Sequence, residues 1–233
     1  MQALVLAGGL GTRLRSVVRD RPKPMVSVND RPFLEYIIKY LAKQDVKNIV
    51  LCTGYLGYRI REHFKDGSPW GCRIQYSEEE EPLGTGGALK LAEKYISEDD
   101  FFVLNGDTFL ELDYGKMLGY HRGKKSQITV ALVQTKDTRR YGSIVLGEGN
   151  RIGRFLEKNS NGISGFINAG VYIFQKGILD HIQPHRKISL ESELLPYFIN
   201  NHSSVYGYKS KGYFIDIGIP ETYYKSQEDF KGR

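Results

Sequence analysis

The sequence contains few of the residues that form covalent cross-links or metal sites. Its 233 residues include two cysteines, Cys52 and Cys72, and neither belongs to a CxxC pair or to a Cys/His ligand spacing. A disulfide scaffold and a structural zinc site are therefore not expected. Both cysteines lie in apolar segments, so we expect buried, reduced thiols. The histidines also lack a ligand spacing, and we expect all of them on the surface. They are His63, His121, His181, His185 and His202.

Long apolar runs are absent as well. The chain opens on MQALVLAGG, where the apolar run of roughly six residues has no basic leader and is too short for a signal peptide or a membrane span. We therefore expect a cytoplasmic protein with no membrane partner.

The chain has no block of like charges and no segment with the Ser, Pro and Gly content of a linker. The formal net charge of +6 comes from scattered basic residues, which disfavours nucleic acid as a partner and suits a small phosphorylated ligand. The hydrophobic content of 40% is that of a globular core. Since there is also no internal repeat, we expect a single domain over 1–233.

Short apolar strands and amphipathic helices alternate in the first half of the chain. The pattern predicts strands over 2–7, 48–52, 72–77 and 101–107, with helices behind Pro32, over 58–64 and over 88–95. Such alternation is typical of a parallel, doubly wound α/β sheet. After about residue 113, longer strands predict a mixed extension of the same sheet. The expected segments are strands over 128–134, 142–147, 151–158, 166–174 and 213–218, and helices over 177–182, 190–201 and 220–230.

The first predicted strand ends in a glycine-rich loop with a basic tail, LAGGLGTRL and then PKPM. The loop lacks the third glycine of the dinucleotide fingerprint and the spacing of a P-loop. Glycines nevertheless let backbone amides approach a phosphate, and Arg13 and Lys23 can neutralise its charge. One interpretation is therefore a triphosphate site, and the other is a plain turn with solvated basic residues.

Two aspartates follow apolar strands that are far apart in the sequence. Asp107 ends VLNGD, and Asp216 lies between two isoleucines in YFIDIG. Carboxylates at the ends of sheet strands lie where ligands bind in α/β proteins, and they suit Mg²⁺. The alternatives are a helix N-cap for Asp107 and a buried ion pair for Asp216.

The chain closely resembles the sugar-1-phosphate nucleotidyltransferases over nearly its whole length. The motifs that carry the resemblance are, in order, LAGGLGTRL, PKPM, EEEPLGTGGAL, VLNGDTF, YGSIVL, FLEK, INAGVYIF and YFIDIGIPETY. These enzymes join a nucleoside triphosphate to a sugar 1-phosphate and release pyrophosphate. The resemblance implies a three-layer α/β/α Rossmann-like (GT-A-like) fold with a mostly parallel mixed central sheet. Its nucleotide-binding half would be about 1–112, and its sugar-phosphate-binding half about 113–233.

The resemblance also implies site residues and their roles. Arg13 would stabilise the β- and γ-phosphates, Lys23 would hold the α-phosphate, and Asp107 and Asp216 would hold Mg²⁺. In-line attack between two anions requires positioning and charge neutralisation rather than a catalytic histidine. The nucleotide would contact Leu6, Ala7, Gly8, Gly9, Gly11, Thr12, Glu79, Gly84 and Thr85. The sugar phosphate would contact Gly142, Glu157, Lys158, Asn168 and Gly170.

Several of these residues have a second interpretation. Asn168 would bind sugar hydroxyls and Gly170 would leave space for the sugar, but the same pair is also typical of a β-bulge with an Asx-type hydrogen bond. Glu157 and Lys158 also suit a solvated strand exit. One departure from the family is Ile219, where relatives often carry a polar residue.

Two further expectations concern the nucleotide base and the sugar. As a double acceptor, Glu79 matches the adjacent N1–H and 2-amino donors of guanine, which favours GTP over UTP or TTP, unless the acidic run 78–81 is only a solvated surface. Within the family, the motifs most resemble those of guanylyltransferases that act on D-glycero-α-D-manno-heptose 1-phosphate. Mannose-1-phosphate guanylyltransferases, uridylyltransferases or thymidylyltransferases, and a non-catalytic nucleotide-sensing subunit are the alternatives. Tyr-rich segments are compatible with a homodimer.

Overall fold

The structure, a computed structural model, describes residues 1–9, 21–141, 143–156, 164–201 and 203–232. The strands are β1 Gln2–Leu6, β2 Ser27–Val28, β3 Arg31–Pro32, β4 Asn48–Thr53, β5 Arg73–Glu78, β6 Asp100–Asn105, β7 Thr108–Leu110, β8 Ile128–Thr135, β9 Ser143–Leu146, β10 Ile152–Leu156, β11 Gly165–Gln175, β12 Val205–Ser210 and β13 Phe214–Asp216. The α-helices are α1 Phe33–Lys43, α2 Gly57–Phe64, α3 Gly84–Ala92, α4 Tyr114–Gly123, α5 Leu195–Asn200 and α6 Pro220–Asp229. Short helical turns cover Lys23–Met25, Ser68–Trp70, Glu93–Tyr95, Glu148–Asn150, Lys176–His181 and Leu190–Leu194.

A parallel block forms the centre of the sheet. Strand β1 lies between β4 and β6, parallel to both, and β5 extends the block beyond β4. Val5 faces Leu51 on one side and Leu104 on the other. Strands β1, β4 and β6 are largely apolar because helices cover both of their faces. The predicted alternation of strands and helices in the first half is confirmed.

The second half of the chain continues the same sheet with antiparallel strands. Strand β11 pairs with β6 in the antiparallel direction and then with β8 and β9, while β12 runs parallel to β8. A separate two-stranded ribbon joins β7 and β13. The prediction of a mixed central sheet that includes a parallel block is confirmed.

Alternate side chains of the central strands enter two different apolar clusters. Ala3 and Val5 of β1 pack with α1, α2 and α4, whereas Leu4 packs on the opposite face with α3 and α5. Because successive strand residues point to opposite faces, two helical layers enclose the sheet. This is the predicted three-layer α/β/α arrangement. Among the helices of the described residues, none combines the length and apolarity needed to cross a bilayer.

Two predictions about burial are wrong. Cys52 is buried, but Cys72 is only half-buried, and burial raises the pKa of the two thiols to about 12 and about 11 respectively. His121 is not on the surface, because its side chain is 1% exposed and its Nδ1 lies 2.8 Å from Thr129 Oγ1. Burial lowers the pKa of His121, and the nearby charge of Asp100 opposes that shift. A polar partner on β8 therefore makes an interior histidine tolerable.

The helix N-cap alternative for Asp107 is also wrong. Strand β7 follows Asp107 directly, and the next helix begins only at Tyr114. Asp113 caps that helix by accepting a hydrogen bond from Lys116 N at 2.9 Å. Asp107 is therefore not required as a helix cap.

The closing helix α6 is attached to the rest of the protein by the residue that follows it. Phe230 is 1% exposed, and its ring centroid lies 4.7 Å from that of Tyr36 and 5.1 Å from that of Phe109. Edge-to-face contacts of this kind stabilise aromatic clusters. Since Phe109 is in β7, the same cluster also supports the ribbon between β7 and β13.

We expect Phe230→Ala to lower the free energy of unfolding by about 3–5 kcal/mol, because it removes a buried aromatic side chain and leaves a cavity. Urea denaturation measures the change. Tyr224→Ala in the same helix is the control, since Tyr224 is 60% exposed, and its effect should stay within about 0.5 kcal/mol. Equal losses for the two variants would contradict the anchoring role of Phe230.

Candidate active site

A cleft of about 460 Å³ opens at the carboxyl ends of the central parallel strands. Open α/β sheets bind their ligands at this edge. Eight residues predicted from the sequence line the cleft, namely Leu6, Gly8, Gly9, Lys23, Glu79, Gly84, Thr85 and Asp107. Ala7 is buried instead, and its N–H donates to Cys52 O at 2.8 Å.

The first two glycines of the loop after β1 have different reasons to be glycine. A Cβ on Gly8 would lie 2.6 Å from Glu79 Oε1, so the Glu79 side chain fills the space that a larger residue would need. A Cβ on Gly9 would meet no described atom within 4 Å. The backbone at Gly9 is therefore open to a ligand, as expected for a phosphate-binding loop.

Glu79 faces the interior of the cleft, whereas Glu78, Glu80 and Glu81 are exposed. Its Oε2 accepts a hydrogen bond from Leu83 N at 3.1 Å. Burial raises the pKa of Glu79, and the Leu83 N–H opposes the shift because it favours the carboxylate. The interpretation of Glu79 as part of a solvated charge run is therefore wrong.

The turn at Gly84 packs against a distant segment of the chain. Gly84 has φ +70°, and a Cβ there would lie 2.6 Å from Ile188 O. Two backbone bonds hold the same contact, from Gly86 N to Ile188 O and from Ile188 N to Leu83 O, each 2.9 Å long. A close approach between two backbones therefore requires glycine at position 84, whatever this turn contacts in a ligand.

Thr85 was predicted to contact the nucleotide, but its hydroxyl forms hydrogen bonds within the protein. It donates to Glu191 Oε2 at 3.0 Å and accepts from Leu190 N at 2.7 Å. Its proton is thus engaged within the protein. Lys187, in the same distant segment, is exposed and lines the cleft. Lys187 was not predicted, because no motif marks a residue that reaches the cleft from so far along the chain.

A charged cluster lies at one end of the cleft. The Lys23 ammonium forms an ion pair with Asp107, and its side chain is 11% exposed. Lys23 begins the helical turn Lys23–Met25, in which Met25 N donates to Pro22 O at 2.8 Å. Gly218 adjoins the cluster, since a Cβ there would lie 3.0 Å from Lys23 Nζ and 2.6 Å from Asp216 Oδ1.

The ribbon of β7 and β13 brings the two predicted metal ligands together. Asp216 pairs with Thr108, and Ile217 N donates to Asp107 O at 3.0 Å. Burial raises the pKa of Asp216 and the charge of Asp107 raises it further, while Lys23 and Arg140 oppose the shift. Arg140 Nη2 lies 3.5 Å from Asp216 Oδ1. The ion-pair interpretation of Asp216 is therefore partly confirmed.

These two carboxylates fit a divalent cation that also binds a ligand. Asp216 Oδ1 accepts from Gly218 N at 2.5 Å, which fixes the orientation of that carboxylate. No group of three or more His, Cys, Asp and Glu side chains that could hold a metal ion occurs in the described parts of the chain. Protein sites for Mg²⁺ often supply only one or two carboxylates, and phosphate oxygens and water complete the coordination.

The predicted sugar side of the site has the geometry of a β-bulge. Asn168 Oδ1 accepts from Gly170 N at 2.9 Å, and the register between β11 and β8 shifts between Asn168 and Tyr172. The missing Cβ of Gly170, which has φ +68°, does not leave open space, because a Cβ would lie 2.9 Å from Asn105 Nδ2. Our expectation of a space there is wrong. The Asn105 side chain fills it.

Six predicted residues lie outside the described ranges. They are Gly11, Thr12, Arg13, Gly142, Glu157 and Lys158.

The fold and the cleft define an α/β protein with a cleft where the central parallel strands end, and with paired carboxylates and a lysine beside it. The chain belongs to the Nucleotidyl transferase family, whose model matches residues 2–232. The resemblance stated from the motifs is thereby confirmed, and so is the Rossmann-like fold.

Two relatives are similar over nearly their whole length. The chain is 42% identical to D-glycero-alpha-D-manno-heptose 1-phosphate guanylyltransferase of Campylobacter jejuni over 226 residues, which is 96% of this chain and 97% of that protein. It is also 42% identical to the protein of the same name from Aneurinibacillus thermoaerophilus, over 99% of both chains. Among solved structures, HddC from Yersinia pseudotuberculosis superposes with a TM-score of 0.89 at 40% identity, covering 98% of this chain and 99% of its own. The same protein complexed with GMP-PN has a TM-score of 0.88.

We expect Glu79→Gln to stabilise the fold in a pH-dependent way. Burial raises the pKa of Glu79, so its stabilising contribution is fully present below the ordinary glutamate pKa of about 4.3 and is lost as the pH rises through the folded-state value. Glutamine stays neutral and can still accept from Leu83 N. The melting temperature of the variant should exceed that of the parent at about pH 7, and the two should converge at about pH 4.

Thermal unfolding over this pH range measures the difference, and Glu80→Gln is the control because Glu80 is exposed. A difference between parent and Glu79→Gln that stays constant with pH would refute the assigned cause.

Proposed function

We propose that the protein transfers GMP from GTP to D-glycero-α-D-manno-heptose 1-phosphate and releases GDP-heptose and pyrophosphate. The observation that carries the proposal is the convergence of Lys23, Asp107 and Asp216 beside one cleft of a nucleotidyl transferase fold. The guanylyl and heptose parts are supported by the two relatives with 42% identity and by the complex of HddC with GMP-PN.

The chemistry that this cluster suits is in-line attack of a sugar-1-phosphate oxygen on the α-phosphorus. Both reactants are anions, so the protein contributes mainly positioning and charge neutralisation. Asp107 holds Lys23 in place, and the Lys23 side chain is mostly buried. The positive charge of Lys23 would offset the repulsion between the two phosphorylated reactants. Mg²⁺ held by Asp107 and Asp216 would neutralise further phosphate charge.

Glu79 is the residue that we assign to the base. One carboxylate oxygen is shared with Leu83 N, and each oxygen of a carboxylate can accept more than one hydrogen bond. Guanine presents two adjacent donors to such an acceptor, whereas uracil and thymine present one ring N–H between carbonyl oxygens. The phosphates would bind beside the Gly9 backbone, where a Cβ would meet no described atom within 4 Å.

The remaining assignments rest on the resemblance. Arg13 would bind the β- and γ-phosphates, and Gly11 and Thr12 would contribute to the same loop. Glu157 would bind sugar hydroxyls, Lys158 the sugar phosphate, and Gly142 would offer its amide. In this scheme residues of about 1–112 bind the nucleotide and those of about 113–233 bind the sugar phosphate. A cytoplasmic enzyme, either monomeric or homodimeric, completes the proposal.

A mannose-1-phosphate guanylyltransferase is the second candidate. The protein of that name from Mycobacterium tuberculosis is 34% identical over 98% of this chain, but the chain covers only 64% of that protein. The lower identity makes mannose 1-phosphate the weaker choice of sugar. A non-catalytic nucleotide sensor is disfavoured, because such a protein does not need Lys23, Asp107 and Asp216 together.

A substrate panel tests the reaction and the base together. The purified protein is incubated with Mg²⁺, each of the four common NTPs and a set of hexose and heptose 1-phosphates, and pyrophosphate release is measured. We expect the highest kcat/KM with GTP and the heptose 1-phosphate. A clear preference for UTP or TTP would contradict the role of Glu79, and the absence of release with every pair would refute the proposed function.

We expect Lys23→Ala and Asp107→Ala each to lower kcat by about 10²-fold or more, because the first removes a cation that neutralises the reacting phosphates and the second removes a carboxylate that would hold Mg²⁺. The double variant separates catalysis from folding. Each single variant leaves the partner's charge unpaired, whereas the double variant removes both charges, so it should unfold no more easily than the single variants and stay inactive. Lys39→Ala is the control, since Lys39 pairs with Glu35 on α1. Near-parental turnover of either single variant would overturn the assignment.

A further inference from the structure

A continuous chain of hydrogen bonds connects the first turn of α3 to the bulge of β11. Thr85 Oγ1 donates to Glu191 Oε2 at 3.0 Å, and Tyr172 Oη donates to Glu191 Oε1 at 3.1 Å. Asn168 Nδ2 donates to Tyr172 Oη at 2.8 Å, and Gly170 N donates to Asn168 Oδ1 at 2.9 Å. The chain therefore joins a residue of the predicted nucleotide half to residues of the predicted sugar half through one carboxylate.

The carboxylate fixes the direction of every bond in this chain. An ionised Glu191 can only accept, so the hydroxyls of Thr85 and Tyr172 must both donate to it. With its only proton committed, the Tyr172 oxygen can only accept at its other side. Burial raises the pKa of Tyr172 well above its ordinary range, so the hydroxyl keeps that proton.

Two contacts fix the orientation of the Asn168 amide, the Gly170 N–H at its oxygen and the Tyr172 oxygen at its NH₂ group. The NH₂ group must face Tyr172 because the tyrosine oxygen needs a donor, and the carbonyl oxygen must face the Gly170 N–H. The flipped amide would set its oxygen against a tyrosine that has no proton left, and its NH₂ against another N–H. Among the described residues, Asn168 Nδ2 donates to Tyr172 Oη, and in the proposed site its second N–H would serve a ligand hydroxyl.

The other end of the chain is held by the backbone as well as by side chains. Leu190 N donates to Thr85 Oγ1 at 2.7 Å, and the backbone pairing of Gly86 and Leu83 with Ile188 lies next to it. Glu191 is therefore attached to a fixed loop on one side and to the fully buried Tyr172 on the other. In a buried network of this kind, changing one member leaves its hydrogen-bond partners unsatisfied.

We propose that Glu191 is a positioning residue that, through Tyr172, anchors the NH₂ group of the Asn168 amide, whose carbonyl oxygen is oriented by the Gly170 N–H, and thereby supports binding of the sugar 1-phosphate. The inference rests on the proposed function, because it takes Asn168 as part of the sugar-phosphate site. In this role Glu191 acts through Tyr172 and Asn168.

The variant Glu191→Gln tests this role because it keeps the size of the side chain and removes the acceptor-only character. We expect the KM for the sugar 1-phosphate to rise about tenfold, the effect of losing about one hydrogen bond, while the KM for the nucleotide changes little. The nucleotide-side loop retains its backbone bonds to Ile188, so it should keep its shape. Equal changes in both KM values, or no change in the KM for the sugar 1-phosphate, would overturn the proposal.

Two further variants distinguish positioning from general packing. Tyr172→Phe interrupts the chain, so Glu191→Gln added to it should raise the KM for the sugar 1-phosphate no further, whereas independent structural effects would add. Glu193→Gln is the matched control, because Glu193 is exposed and its carboxylate accepts from Ser189 N at 2.9 Å outside this chain. Additive effects, or an equal response of the control, would count against the inference.

A measurement without turnover separates this inference from the proposed function. In the NMR spectrum of the parent, the Asn168 side-chain NH₂ protons should show NOEs to the Tyr172 ring, and Glu191→Gln should weaken them. If no substrate pair is turned over, the proposed function has failed, and these NOEs still test the amide orientation. Their absence in the parent would overturn the inference.

Discussion

The placement of two carboxylates side by side is the constraint on which the rest of the cleft depends. Asp107 and Asp216 arrive on paired strands, and burial together with their mutual repulsion raises the pKa of Asp216. Such a pair needs compensating positive charge, and Lys23 and Arg140 provide it from two other parts of the chain. The short helical turn that carries Lys23 and the β7–β13 ribbon are therefore parts of one electrostatic arrangement.

Arg140 makes this arrangement more rigid. Arg140 Nη2 also donates to the Asp216 carbonyl oxygen at 3.1 Å and lies 3.3 Å from Thr222 Oγ1, so it fixes the backbone of the ribbon as well as one charge. A rigid cluster of alternating charge costs little reorganisation when a phosphate or a metal ion arrives. Packing of Phe230 against Phe109 supports the same ribbon.

Much of the fold could be predicted from the sequence, because its main elements follow local patterns. Strand β1 is apolar along its length because it is covered on both faces, and α1 has its apolar residues at helical spacing. The predictions that failed depend on contacts between distant residues. His121 lies in the interior because Thr129 supplies a hydrogen-bond partner. Gly170 leaves no space for a ligand because the Asn105 side chain fills the region next to it. The contact of Thr85 with Glu191 spans 106 positions, and no local pattern indicates it.

The ribbon also affects how the protein is made. During synthesis Asp107 leaves the ribosome long before Asp216, and chains fold from the N-terminus as they emerge. A growing chain therefore presents the first carboxylate with Lys23 but without its second aspartate until β13 has been synthesised and paired with β7. The carboxylate pair is consequently completed late in biogenesis, and a truncated product that ends before β13 would be unable to assemble it.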